Sequence, residues 1–146
     1  MTTLRDFADL ARSERGLGVV STVRADRTIQ SSVVNLAVMP HPLSGADIVA
    51  FVTYGKVKLA NLRVRPALTL TARSGGKWAS AEGVAELVGP DDPHPAFDPD
   101  GRRLLFREIY AAAGGSHENW DEYDRVIAAE RRAAVLVRPE RIYGNG

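Results

Sequence analysis

The chain has 146 residues, a formal net charge of +1 and no cysteine, and its length fits a single domain, 1–146, with one core. The absence of cysteine excludes disulfides, thiolate metal sites and thiol catalysis. The near-neutral charge argues against a nucleic-acid binder, and no apolar run approaches the roughly 20 residues that cross a membrane. The N-terminal segment lacks the apolar stretch of a secretory signal, so we expect a cytoplasmic protein.

The chain begins with a short amphipathic segment, residues 3–14. Leu4 and Phe7 fall on one helical face, Thr3 is a candidate N-cap, and Asp6 stands at the third helical position of a capping box. We therefore predict an N-terminal helix.

Three β-branched segments follow the helix. The runs "LGVVSTVRA" and "IQSSVVNLAVMP" are separated by the polar turn "ADRT", and "DIVAFVTY" comes after a loop rich in proline and glycine. This pattern predicts a hairpin of two strands and then a third strand.

The segment "YGKVKLANLRVRP" is basic and contains no acidic residue. Its pattern predicts a short helix that begins after Gly55 and ends before Pro66. Lys56 and Lys58 would then lie at a helix N-terminus, where free N–H groups and the helix dipole favour a phosphate. A solvated basic face explains the spacing equally well, so the residues alone leave both interpretations open.

The remaining chain alternates strands and helices. Strands are predicted at "ALTLTAR" and "KWASAEGVAELVG", with Gly83 marking a bulge or a close backbone approach. A proline-rich loop, two amphipathic helices with Leu104, Leu105 and Ile109 directed inward, and a final strand "AAVLVRPERIYG" complete the pattern. Hairpins dominate, so we expect a mainly β fold, a small barrel of about six antiparallel strands with peripheral helices.

Several catalytic classes lack their motifs. His41, His94 and His117 occur singly in loop-like surroundings, which argues against a zinc site. No nucleophile elbow of the G-x-S-x-G type is present, and "GLGVVS" lacks the third glycine of a dinucleotide fingerprint. Neither hydrolysis nor a Rossmann-type site is supported.

The acidic segment "HENWDEYD" invites a metal or acid–base interpretation. A helix start explains it better, because Asn119 or Ser116 can cap the helix and acidic residues in the first turn complement the dipole. Trp120 and Tyr123 then form a packing stripe.

Together these segments resemble the split β-barrel flavin and deazaflavin oxidoreductases, the group that includes pyridoxamine 5′-phosphate oxidase. The resemblance runs from about residue 15 to residue 144 and rests on "TIQSSVVNLAVM", "YGKVKLANLRVRPALTL" and "KWASAEGVAEL". The later segment "SHENWDEYDRVIAAERRAAVLVRPERIYG" is similar to the actinobacterial branch that uses the deazaflavin coenzyme F420.

The resemblance implies a set of cofactor-binding residues. Lys56, Lys58 and Asn61 match the family's phosphate-binding positions, and Arg65 replaces an acidic residue common there, which would suit the coenzyme's polyglutamate tail. The tricyclic ring is expected across the "QSSVVN" strand. The full expected set is Gln30, Ser32, Val33, Val34, Asn35, Thr53, Lys56, Lys58, Asn61 and Trp78.

The resemblance also implies a function. We expect a homodimer that binds reduced F420 between its subunits and passes a hydride to an unsaturated organic acceptor, such as a quinone, a tetrapyrrole or a conjugated enone. The alternatives are an FMN-binding oxidoreductase of the same fold, such as a pyridoxamine phosphate oxidase, a non-catalytic protein that stores or carries the coenzyme, and a barrel whose basic turn binds another anion. No catalytic side chain is assigned.

Overall fold

A computed structural model describes residues 1–145 as four helices and seven strands. The helices are α1 (Leu4–Ser13), α2 (Lys56–Val64), α3 (Pro99–Ala112) and α4 (Trp120–Ala129). The strands are β1 (Leu17–Val23), β2 (Ile29–Asn35), β3 (Ala37–Pro40), β4 (Asp47–Thr53), β5 (Ala67–Ser74), β6 (Lys77–Val88) and β7 (Ala133–Gly144). The predicted mainly β architecture with peripheral helices is confirmed.

The seven strands form one antiparallel sheet in the order β2-β1-β5-β6-β7-β4-β3. Strands β2 and β3 lie at opposite edges of this sheet, although only Leu36 separates them in the chain. The sheet must therefore curl until its edges meet, which makes it a barrel that stays open between these two strands. The prediction of one continuous strand over 29–40 was wrong, because the chain changes edge at the buried Leu36.

The barrel has apolar clusters on both sides of its central strands. On β4, Val49 and Phe51 point into the barrel with Phe7 of α1, while Ile48 and Ala50 point outward toward α3 and α4. A strand covered on both faces reads as a continuous apolar run, as "DIVAFV" does.

The structure confirms most of the local predictions and corrects one. Thr3 and Asp6 form the capping box of α1, and the Asn119 side chain caps α4. At Gly83 the β6–β7 register shifts, and an added Cβ would collide with the Arg138 carbonyl. Leu104, predicted to face inward, is exposed, and its neighbours Leu105, Phe106 and Ile109 fill the core instead.

Within residues 1–145, no helix is both long enough and apolar enough to span a membrane.

Candidate functional site

The site begins where β4 ends and α2 starts. The Thr53 hydroxyl is buried and accepts the Gly55 N–H at 3.2 Å, which forms a tight turn into the helix. Gly55 occupies the N-cap position and, unlike serine or aspartate, offers no side-chain acceptor to the helix. Because no side chain of residues 1–145 caps α2, the N–H groups of its first turn remain available to an external acceptor.

Lys58 is the most unusual side chain of this turn. It is only 6% exposed, and it forms no hydrogen bond or ion pair with any residue of the described chain. Burial lowers the pKa of Lys58, as expected for an ammonium group removed from water. The side chain folds back over the turn, since a Cβ on Gly55 would lie 2.7 Å from the Lys58 Nζ.

Lys56 completes the charge at the turn. It is exposed and has no partner within residues 1–145, so it can move toward an anion that sits over the first turn. Neither lysine complements the helix dipole, which favours negative charge at this end. An anion bound at the turn would satisfy the dipole, the free N–H groups and the buried ammonium together.

Buried hydrogen bonds join α2 to the edge of the sheet. The Asn61 amide donates to the Thr22 hydroxyl at 3.0 Å, and that hydroxyl donates to the Gln30 side-chain oxygen at 3.3 Å. The Arg65 guanidinium extends the series, because Nη2 reaches Asn61 and Nε donates to the Val23 carbonyl at 2.8 Å. Two of the predicted site residues, Asn61 and Gln30, are thus brought together, with Asn61 in a supporting position.

Thr22 was missed by the sequence analysis. It is fully buried on β1, directly opposite Gln30. In the sequence it is only a hydroxyl residue within a β-branched run, which is common in ordinary strands. Its link between Asn61 and Gln30 appears only when α2 packs against β1.

The "QSSVVN" strand presents two different faces. Gln30, Ser32 and Val34 point toward the barrel interior, whereas Val33 and Asn35 are on the exposed face. The side chains expected to meet one flat ring are therefore divided between two sides of β2. As an edge strand, β2 also carries backbone groups without a strand partner, which can bond the polar edge of a ring.

Ser32 adds an unsatisfied group on the interior face. Its Oγ is buried and has no hydrogen-bond partner within residues 1–145. Because an unpaired buried hydroxyl is costly, it marks a position where a ligand can form the missing bond. It lies two residues along the strand from Gln30, on the same face.

Trp78 lies far from this site within one chain. It is near the start of β6, whereas Val88 at the other end of β6 adjoins Ala134, next to the pair formed by Ala133 and Thr53. Ten residues of strand correspond to roughly 30 Å. The single chain therefore does not bring Trp78 to the turn that carries Lys56 and Lys58, which we call the lysine turn.

The histidines are not all isolated. Glu86 accepts a hydrogen bond from His41 at 2.8 Å and another from His94 at 2.7 Å, which ties two loops to β6. Burial alone would raise the pKa of Glu86, but the two imidazoles outweigh it and the pKa is lowered. Residues 1–145 contain no group of three His, Asp or Glu side chains arranged for a metal ion.

Comparisons with known proteins place the fold in a defined group. No protein-family model matches the chain. A conserved hypothetical protein of Mycobacterium tuberculosis is 19% identical, with a TM-score of 0.68 over 99% of this chain and 84% of that one. A structure named F420 reductase is 18% identical, with a TM-score of 0.59 over 87% of this chain and 88% of that one.

A third structure carries the flavin name. It is a pyridoxamine 5′-phosphate oxidase-related, FMN-binding protein of Nostoc punctiforme, 13% identical, with a TM-score of 0.64 over 99% of this chain and 86% of that one. At these identities the comparisons establish the fold, a split β-barrel of the pyridoxamine 5′-phosphate oxidase type, as expected from the sequence.

Proposed function

We propose that the protein is an oxidoreductase that binds reduced coenzyme F420 and passes a hydride to an unsaturated organic acceptor. The observation that carries this proposal is the buried side chain of Lys58, whose ammonium has no partner within residues 1–145, at the uncapped start of α2. It is supported by a fold that also occurs in an F420 reductase and in an FMN-binding protein.

The residues at the turn fit a phosphate-bearing cofactor. Lys58, Lys56 and the free N–H groups of α2 would hold the phosphate, because charge-assisted bonds at a helix start are strong. The Gln30 amide, the Ser32 hydroxyl and the free edge of β2 would hold the polar edge of the ring. The cofactor, when bound, supplies the hydride chemistry, and the protein binds it, orients it and excludes water.

Trp78 and the outward-facing residues of β2 enter this proposal through a second copy of the chain. The outer face of β1, β2 and β6 exposes apolar side chains, and Val33 and Ile29 are 65% and 64% exposed. Such a face suits burial against an identical face, since two-fold dimers use the same patch on both subunits. In a dimer of this kind the exposed Trp78 would lie in the interface between the two copies.

FMN is the alternative cofactor, and it would use the same phosphate anchor. Arg65 favours F420 less than the sequence suggested, because its Nε and Nη2 already bond Val23 and Asn61. A side-by-side titration of the purified protein with F420 and FMN separates the two. We expect tighter binding of F420, followed by oxidation of the reduced coenzyme when an acceptor is added.

Each other result of the titration changes the assignment. Tighter binding of FMN would move the protein to the flavin group. Tight binding of F420 without turnover by quinones, tetrapyrroles or enones would favour storage or transport of the coenzyme. Binding of neither would overturn the redox proposal.

Gly55 offers a sharper test of the turn. A methyl group there would displace the Lys58 ammonium, although the backbone φ of −64° tolerates alanine. We expect Gly55→Ala to weaken F420 binding about tenfold or more, the size of one lost charged hydrogen bond. Gly76→Ala is the matched control, because nothing lies within 4 Å of its added Cβ.

A further inference from the structure

A cavity lies between α3, α4, the end of β2 and the end of β4. Its volume is about 310 Å³, in the range of small-ligand pockets. Its lining includes Asn35, Val52, Tyr110, His117, Tyr123 and Arg132. We call it the helical cavity. Val52 and Asn35 belong to the same strands, β4 and β2, that carry the proposed cofactor site, so the two sites are neighbours.

Aromatic rings form one wall of the helical cavity. Tyr110 and Tyr123 have ring centroids 4.9 Å apart, and Trp120 lies 5.3 Å from Tyr123 behind them. Burial is the main reason that the pKa of Tyr123 is raised to about 12, so its phenol stays neutral and donates to the Phe106 carbonyl. The wall is therefore uncharged and suits a flat, conjugated molecule.

His117 contributes a hydrogen-bond donor. Its Nδ1 accepts the Asn119 N–H at 3.1 Å, which places the proton of the neutral ring on Nε2. That Nε2 has no hydrogen-bond partner within residues 1–145.

Arg132 contributes the positive charge. Its guanidinium carbon lies 4.5 Å from the centre of the Tyr54 ring. Its Nη2 is ion-paired with Glu130 and donates to both carboxylate oxygens, at 3.2 and 3.4 Å, so the ligand would use the remaining guanidinium N–H groups. Its Nε is buried and has no partner in the described chain. Tyr54 immediately precedes Gly55, so the stacked arginine stands between the helical cavity and the lysine turn.

We propose that the helical cavity binds a flat, conjugated monocarboxylate, whose carboxylate meets Arg132 and His117 while its apolar body lies against Tyr110 and Tyr123. This inference rests on the proposed function in one respect, namely that the ligand is the hydride acceptor. Glu122 also lines the cavity and carries the opposite charge, which disfavours ligands with several carboxylates.

The test is binding of cinnamate and of cinnamamide to the full chain without cofactor. Cinnamamide keeps the shape of cinnamate and removes the charge. Calorimetry gives the affinities, and the indole N–H signal of Trp120, assigned with Trp78→Phe, reports binding near the aromatic wall. We expect cinnamate to shift that signal and to bind at least tenfold more tightly than the amide, because only the carboxylate pairs with the guanidinium.

Two neighbouring arginines provide a matched pair of variants. Arg132→Gln should lose cinnamate binding about tenfold, whereas Arg131→Gln should keep it, because Arg131 is exposed and paired with Asp91 outside the helical cavity. His117→Phe keeps a ring but removes the donor, and it should weaken cinnamate binding by a smaller factor. Thermal unfolding of each variant verifies that it is folded.

Three outcomes would overturn the inference: no cinnamate binding at millimolar concentration, equal binding of acid and amide, or equal losses in the Arg131 and Arg132 variants. The outcome of the cofactor titration is independent of these cinnamate results. If cinnamate binds but neither F420 nor FMN does, the helical cavity remains a carboxylate site and its role as the acceptor site is removed. If a cofactor binds but cinnamate does not, only the proposal for the helical cavity is removed.

Discussion

Basic side chains cluster both at the start of α2 and at the contact between α3 and α4, but only those at the contact have an acidic partner. Arg103 and Arg107 of α3 both donate to the Asp124 carboxylate of α4, with an Arg107 Nε bond of 3.0 Å. Lys58 of α2 is more deeply buried and has no partner within residues 1–145. Arg103, Arg107 and Asp124, the arginine cluster, hold two helices together, whereas the lysines at the start of α2 have no acidic partner within residues 1–145.

The helix starts differ in the same way. Side chains of Thr3, Asp98 and Asn119 cap α1, α3 and α4, and each of these helices has an acidic residue in its first turn. Helix α2 has neither a side-chain cap nor an acidic residue there. This contrast within one chain supports the proposal that the start of α2 binds a ligand, because stability alone favours the other arrangement.

The largest expected effect comes from reversing the charge of the turn. Lys56→Glu with Lys58→Glu should weaken F420 binding by about 100-fold or more, since charged hydrogen bonds contribute about 1.5–3 kcal/mol each. Fluorescence titration measures the loss. The control is Arg5→Glu with Arg12→Glu, an equal charge change at two exposed positions of α1. Equal affinities for the two double variants would remove the phosphate site from α2.

The pH dependence of binding is expected to be smaller. Burial lowers the pKa of Lys58, so its ammonium loses a proton at a lower pH than an ordinary lysine does. Because the anion needs the charged form, affinity should fall as pH rises through that lowered pKa, by about tenfold per pH unit above it. Titrations from neutral to alkaline pH measure this slope. Lys58→Met should abolish it, and a slope that persists in that variant would assign the titration elsewhere.

For the arginine cluster, the expected effect of pH is on the stability of the protein and not on cofactor binding. The hydrogen bond from Arg107 is the main reason that the pKa of Asp124 is lowered. Its contribution is therefore present above the unfolded pKa and is lost as pH falls through the folded pKa. Asp124→Asn should lower Tm by a few degrees at neutral pH and converge with the parent in acid. Asp121→Asn is the control, because Asp121 is fully exposed and 3.8 Å from Arg107.

The smallest expected effect has the opposite sign. Lys58→Met should raise the free energy of unfolding of the cofactor-free protein by on the order of 1 kcal/mol, because it removes a partly desolvated charge that has no partner within residues 1–145. Thermal or urea unfolding measures the change, and the exposed Lys56→Met should leave stability unchanged. A destabilised Lys58→Met variant would mean that the ammonium is satisfied in the free protein.

Much of the fold could be predicted from local patterns. The capping box of Thr3 and Asp6, the helix between Gly55 and Pro66, and the bulge at Gly83 all follow from residue type and spacing. The break at Leu36 could not be predicted, because its cause is the closure of the barrel and the local pattern continues through it.

The features of the candidate site also fall into those that follow from the sequence and those that follow from the folded structure. The position of Lys56 and Lys58 at a helix start without acidic neighbours follows from the sequence alone, since helix boundaries and net charge are local properties. Three features appear only in the folded chain: Lys58 is buried without a partner within residues 1–145, Thr22 joins Asn61 to Gln30, and Arg132 stacks on Tyr54. These features depend on contacts between distant segments, and burial and pairing are set by how those segments pack.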